Sequence, residues 1–176
     1  MTDLYVSWSD YHQKIETLAV KIHQSGWQFD RIVCIAKGGL RVGDIFCRLF
    51  GQPLAIVTAA SYGGKDNRQQ GEIAFSQHLS MIEAELGKKV LLVDDLVDSG
   101  VSLIESLNWL KARYGEEIEE VRTAVIWYKS TSKIAPDYYV DYLPDSPWIH
   151  QPFERYEQLS VAQLAQNCPD YTSADV

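Results

Sequence analysis

Cysteine, basic charge and long apolar runs are all scarce in this chain, and each scarcity excludes something. The three cysteines, Cys34, Cys47 and Cys168, are widely spaced. They form no Cys-x-x-Cys pair and sit in no histidine pattern, so free thiols in a reducing compartment are expected rather than a zinc site. Lys and Arg number 16 against 24 Asp and Glu, for a net charge of −8. A protein that grips a nucleic-acid backbone needs a basic face, so no nucleic-acid partner is expected. A small anionic ligand stays open, because backbone N–H groups, a few cations and a metal can hold one whatever the overall sign. No apolar run is long enough to span a bilayer and the N-terminus has no signal-peptide pattern, so the expectation is a cytoplasmic protein without a membrane partner.

What is present is the material of an ordinary globular protein: 176 residues, 46% of them hydrophobic, enough for one domain over 1–176. No repeat, low-complexity tract or linker interrupts it. Ile15, Leu18, Ala19 and Ile22 recur at helical spacing, which predicts a helix over 9–25 with Ser9 as its cap and Gly26 at its end. Arg31 to Ala36 is a short β-branched run and reads as a buried strand, broken by Lys37-Gly38-Gly39. A helix from Leu40 to Phe50 closed by Gly51 and a strand from Pro53 to Thr58 follow. Residues 61–72 are polar and glycine-rich and read as a mobile loop, with a short strand from Ile73 to Ser76 after it. Lys89 to Val93, Val121 to Tyr128 and Tyr138 to Tyr142 read as further strands, with a helix from about Ser102 to Tyr114 between the first two.

This alternation predicts an α/β fold with a mostly parallel central sheet flanked by helices. Ligands of such sheets sit beyond the carboxyl ends of the strands. Lys37-Gly-Gly, Asp94-Asp95 and Lys129 all fall at such ends, so the fold would gather them on one rim.

The segment Val90-Leu-Leu-Val-Asp94-Asp95-Leu-Val-Asp98-Ser99-Gly100-Val101-Ser102 concentrates the chemistry. A buried strand delivers adjacent carboxylates to its open end. A turn of hydroxyls and glycine then opens a helix, whose first N–H groups have no intrahelical acceptor and form an anion cradle. Carboxylates beside a phosphate cradle make sense if they bind hydroxyls or a cation. The plainer alternative on composition alone is a polar strand-to-helix turn capped by Ser102.

This segment resembles the phosphoribosyl-pyrophosphate signature of type I phosphoribosyltransferases: an apolar run, paired acids, an apolar pair, then Asp-Ser/Thr-Gly-x-Ser/Thr. The resemblance extends over most of the chain, toward the small microbial xanthine–guanine and hypoxanthine–guanine enzymes. Ile35-Ala-Lys-Gly-Gly-Leu40 resembles their pyrophosphate turn. Ser61-Tyr62 resembles the start of their mobile loop, and Trp148-Ile-His-Gln-Pro-Phe153 their base-covering segment.

The resemblance implies the type I fold with a small base-covering hood at about 137–156, leaving a tail at 157–176 without a role. It implies magnesium as cofactor, held at Asp95 and Asp94, which also bind the ribose hydroxyls. It implies Asp98 as the group that exchanges a proton with the purine. Ser99, Gly100, Val101 and Ser102 would hold the 5′-phosphate, and Lys37, Gly38 and Gly39 the pyrophosphate, with a non-proline cis peptide after Lys37. Lys129 would donate to the exocyclic oxygen of the base, which favours a 6-oxo group over the 6-amino group of adenine. Trp148 and Ile149 would cover the base. Loop 61–72 would close over the site and exclude water, with Lys65 and Arg68 as further cations. His150 and Phe153 stand where xanthine–guanine enzymes carry Glu and Trp, so the choice among guanine, xanthine and hypoxanthine stays open.

The function this implies is transfer of a phosphoribosyl group to a 6-oxopurine in purine salvage, by a homo-oligomer (dimer or tetramer). The alternative is a regulator of the same fold that binds nucleotide and RNA, which the net charge disfavours. A phosphotransfer receiver or metal-dependent phosphatase would also place acids at a strand end, but neither needs the cradle or the Trp148 segment.

Overall fold

The computed structural model describes residues 3–62 and 72–167. In chain order the elements are β1 (Leu4–Tyr5), α1 (Trp8–Gln24), β2 (Arg31–Ala36), α2 (Gly39–Phe50), β3 (Leu54–Tyr62), β4 (Glu72–Phe75), β5 (Lys89–Val93), β6 (Leu96–Val97), α3 (Val101–Tyr114), β7 (Glu120–Lys129), β8 (Tyr138–Leu143), β9 (Ile149–His150), α4 (Arg155–Gln158) and α5 (Val161–Asn167). They fall into two compact units, 12–146 and a smaller one made of 1–11 with 147–176.

The larger unit is a sheet in the order β4-β3-β2-β5-β7, with β8 on the far edge of β7. The pairs β2–β3, β2–β5, β5–β7 and β7–β8 are parallel, and β4 runs antiparallel on β3. Every residue from Arg31 to Ile35 and from Val90 to Val93 is buried. Unbroken burial of this kind belongs to a parallel strand covered on both faces, which is why these runs lack polar alternation. Val33, Ile35, Val57, Leu92, Leu110 and Val125 form the centre of the core. On α1, Ile15, Leu18 and Ile22 are fully buried at helical spacing. On α2, Val42, Gly43 and Phe46 are the buried stripe; a Cβ on Gly43 would come within 2.8 Å of the Cys34 Cβ, so glycine lets α2 lie close on β2.

Some boundaries differ from the sequence reading. Ser7, not Ser9, caps α1: its Oγ accepts the Asp10 N–H (3.1 Å) while the Asp10 carboxylate accepts the Ser7 N–H and hydroxyl. A serine paired with an acid three residues on satisfies two helix-end donors at once, which Ser9 has no partner to do. The strand expected at 53–58 runs to Tyr62, because the antiparallel register continues through Ser61↔Ile73 and Tyr62↔Glu72. Tyr138 to Leu143 pairs with β7 in the main sheet, so the part of the expected hood before residue 144 belongs to that sheet.

In the smaller unit, β1 pairs in parallel with β9, Leu4↔Ile149 and Tyr5↔His150. The Tyr5 ring stacks on His150 (4.3 Å, 13° between planes) and the His150 Nε2 lies 2.9 Å from Asp3 Oδ2. Phe153 meets the Tyr11 ring edge-on at 5.7 Å.

Candidate active site

The acidic pair interrupts a strand without shifting it. Val93 pairs with Ala124 and Leu96 with Trp127, so β5 and β6 follow the same register along β7. Between them the Asp94 N–H donates to the Ala124 carbonyl (3.1 Å). The Ile126 and Trp127 N–H groups both donate to the Asp95 carbonyl (3.0 and 3.1 Å). The backbone of both acids is therefore fixed by the next strand. Asp95 is buried, 8% exposed. The Asp94 carboxylate accepts the Asp95 N–H at 2.9 Å and also the Gly39 N–H. Burial holds the Asp94 carboxyl well above the usual carboxylate range; the adjacent Asp95 charge adds to the effect, and the two N–H donors oppose it without reversing it.

Lys37-Gly38-Gly39 packs directly on this pair. A Cβ on Gly38 would lie 2.3 Å from Asp95 Oδ1 and 2.8 Å from Asp94 Oδ1. One on Gly39 would lie 2.4 Å from the Val93 carbonyl oxygen. A side chain at Gly39 would strike strand backbone and one at Gly38 would displace the acidic pair, so the glycines answer to this close approach rather than to loop composition. Lys37 itself is exposed. The cis peptide bond is Ala36–Lys37, before Lys37 rather than after it. β2 ends at Ala36, so the bond at which the chain leaves the sheet is the one entering Lys37.

On the other side of the pair the chain turns through Asp98, Ser99 and Gly100 into α3. Gly100 caps the helix with φ 81°, a left-handed conformation that glycine adopts readily, and no side chain caps it. Ser102 is thus inside the helix rather than its cap. A Cβ on Gly100 would meet Ser132 Oγ at 2.6 Å. A cavity of about 160 Å³ is lined by the chain from Asp94 to Leu103, with Val101 left out. The Val101 N–H instead reaches the Ser99 Oγ at 3.4 Å.

Lys129, the last residue of β7, is 5% exposed at its side chain, and its Nζ donates to Asp98 Oδ2 at 2.9 Å. Asp98 remains open to solvent at 55%. Its other oxygen, Oδ1, accepts the Thr131 hydroxyl at 3.0 Å, a partner the sequence reading did not single out. The only signal for Thr131 was its place in a Ser-Thr-Ser run just past a strand end.

The larger unit therefore brings together Lys37, Gly38, Gly39, Asp94, Asp95, Asp98, Ser99, Gly100, Ser102 and Lys129 at the carboxyl ends of three neighbouring strands, β2, β5 and β7. Ser61 and Tyr62 end β3. The rest of the glycine-rich loop, with Lys65 and Arg68, lies outside the described residues, as does Cys168. Trp148 and Ile149 belong to the smaller unit. Trp148 is 62% exposed and Ile149 is buried.

A family model described as a phosphoribosyl transferase domain matches residues 7–158. The xanthine-guanine phosphoribosyltransferase of Gluconobacter oxydans is 29% identical over 151 residues, covering 85% of this chain and 83% of that protein. Among solved structures, a purine phosphoribosyltransferase from Pyrococcus horikoshii superposes with a TM-score of 0.71 at 25% identity, covering 87% of this chain and 94% of that one. The Helicobacter pylori xanthine-guanine-hypoxanthine phosphoribosyltransferase shares the fold, with a TM-score of 0.70 at 19% identity over 90% of this chain and 100% of that one. By the match over most of its length, this chain belongs to the phosphoribosyl transferase domain family.

Proposed function

We propose that the protein transfers the 5-phosphoribosyl group of phosphoribosyl pyrophosphate to a 6-oxopurine, releasing pyrophosphate, as an enzyme of purine salvage. The observation that carries this reading is the buried Lys129 ammonium held on Asp98, a residue that lines the Asp94–Leu103 cavity. An ammonium only donates, so it suits a 6-oxo group and leaves a 6-amino group facing a like donor. A carboxylate beside it retains free lone pairs and can take a proton from the purine as the base attacks, and return it in reverse. The first-turn N–H groups of α3 and the Ser99 and Ser102 hydroxyls supply donors for a 5′-phosphate. The glycine turn brings backbone within reach of a pyrophosphate bound over Asp94 and Asp95. These carboxylates also stabilise positive charge that develops on the ribose.

The donor set fits magnesium. Asp94 and Asp95 are adjacent hard-oxygen ligands whose mutual repulsion a cation relieves. Among the described residues no group of three or more His, Cys, Asp or Glu could hold a metal. Magnesium commonly takes one or two carboxylates and completes its shell with substrate phosphate and water, which this pair allows. Bound there, the ion supplies charge neutralisation for the departing pyrophosphate.

Trp148 presents an exposed ring on which a purine face would gain about 1–3 kcal/mol by stacking. Ile149, the second residue assigned to base covering, is buried. A homo-oligomer stays part of the proposal on the strength of the family resemblance, and a cytoplasmic location is proposed beside it. No helix among the described residues is long and apolar enough to cross a membrane. The regulator alternative has no support in the net charge of −8. The test is formation of a 5′-mononucleotide from phosphoribosyl pyrophosphate and a 6-oxopurine. Binding of phosphoribosyl pyrophosphate without product from any base would overturn the assignment.

A further inference from the structure

We propose that Thr131 is a positioning residue for the reaction, acting by fixing the orientation of the Asp98 carboxylate; this rests on the role assigned to Asp98 above. The Asp98 side chain is more than half exposed, and a carboxylate on a turn rotates freely unless both oxygens are held. Oδ2 is held by Lys129 Nζ (2.9 Å) and Oδ1 by Thr131 Oγ1 (3.0 Å). These donors come from opposite ends of a short stretch: Lys129 closes β7 and Thr131 lies in the turn beyond it.

One donor alone leaves the carboxylate free to pivot about the shared oxygen. Two donors on different oxygens define its plane. The same threonine hydroxyl also lies 3.2 Å from the Asp98 carbonyl. A hydroxyl has one proton, and the shorter contact to the charged oxygen is the stronger claim on it.

The turn that carries Thr131 is itself anchored. Ser130 Oγ donates to the Pro144 carbonyl (2.7 Å), the Ser132 N–H donates to the Lys129 carbonyl (3.1 Å), and the Lys133 N–H donates to the Ser99 carbonyl (3.1 Å). The last bond ties the turn to the phosphate cradle. Thr131 therefore acts from a braced position, and losing its hydroxyl does not release the turn. An acid that exchanges a proton in the transition state gains from being pre-oriented, whereas substrate binding at the cradle does not depend on it.

The test is a double-mutant cycle on the full chain, with turnover and phosphoribosyl pyrophosphate affinity measured for each variant. Thr131→Val keeps the branched shape and removes the hydroxyl. It should lower kcat by roughly tenfold to a hundredfold, the size expected for one hydrogen bond to a charged group, with KM for phosphoribosyl pyrophosphate unchanged. Thr131→Ser should restore kcat. In an Asp98→Asn background the Val substitution should cost nothing further. Unchanged kcat in Thr131→Val, or the same loss in both backgrounds, would overturn the positioning role. A loss through KM, with no rescue by Ser, would also overturn it, since that is what a purely structural residue produces. If the unaltered protein forms no nucleotide, the functional assignment fails first, and that result is distinct from all of these.

Discussion

Gly38 packs directly on the acidic pair, and replacing it by Ala separates function from fold. Its backbone (φ −55°, ψ −50°) is one that alanine adopts without strain, so the chain itself does not object. The obstacle is the new methyl group, 2.3 Å from Asp95 Oδ1 and 2.7 Å from its Cγ. An ordinary carbon–oxygen contact needs about 1 Å more, close to the separation at which dispersion is attractive. The Asp95 carboxylate must move by roughly that amount, since its backbone is held by two N–H donors from β7. A misplacement of about 1 Å in a reacting assembly costs on the order of a hundredfold in rate.

Gly38→Ala should therefore lose about a hundredfold in kcat/KM while the thermal midpoint changes little. Gly39→Ala supplies the contrast. Its methyl would strike the Val93 carbonyl, which is central-strand backbone and cannot swing away. Overpacking of that kind costs about 1–3 kcal/mol, a fall of roughly 2–12 °C in the midpoint. Steady-state kinetics with phosphoribosyl pyrophosphate and hypoxanthine, beside thermal denaturation of both variants, reads the difference. Full activity in Gly38→Ala would refute the claim that the glycine turn and the acidic pair work as one site.

Asp98→Asn keeps the side chain's size and its capacity to accept from Lys129 but cannot take up a proton at neutral pH. Turnover should fall by about a hundredfold or more with affinity for phosphoribosyl pyrophosphate retained; unchanged turnover would remove Asp98 from proton transfer. Asp94→Asn should show its effect on stability. With its native carboxyl raised above the usual 3.8 by burial and by Asp95, the ligand-free fold holds a proton that the unfolded chain releases. Its stability therefore falls as pH rises from that value through the raised native one. Asp94→Asn removes this cost, so its advantage over the unaltered protein should grow with pH across that window. At neutral pH Asp94→Asn should therefore melt above the unaltered protein, with substrate binding lost. A variant less stable than the parent in differential scanning calorimetry at pH 7 would contradict the burial argument.

Much of the site could be read from the chain because its signals are local. Lys89 to Val93 is a buried run that ends in acids, and Gly100 answers to a positive φ, so both follow from a few neighbouring residues. That the ends of β2, β5 and β7 share a rim follows from parallel topology alone. What escaped the sequence is non-local or too short to show a period. β1 and β9 have two residues each and pair across almost the whole chain, which no alternation announces. β6 is also two residues long and is recognisable only by its register on β7. The cap at Ser7 was missed because the serine lies just before the periodic stretch, and its partner Asp10 inside it. The burial of Ile149 depends on strand pairing with Leu4, and the bond from Thr131 to Asp98 joins residues far apart in sequence.

The most direct test of the central claim is a panel of bases. Purified protein with phosphoribosyl pyrophosphate and magnesium is given guanine, hypoxanthine, xanthine or adenine in turn, and mononucleotide is followed with and without a chelator. Product is expected from one or more of the 6-oxopurines, little or none from adenine because Lys129 only donates, and product should be lost on chelation. Efficient use of adenine would contradict the role of Lys129, and no product from any base would contradict the assignment of the reaction itself.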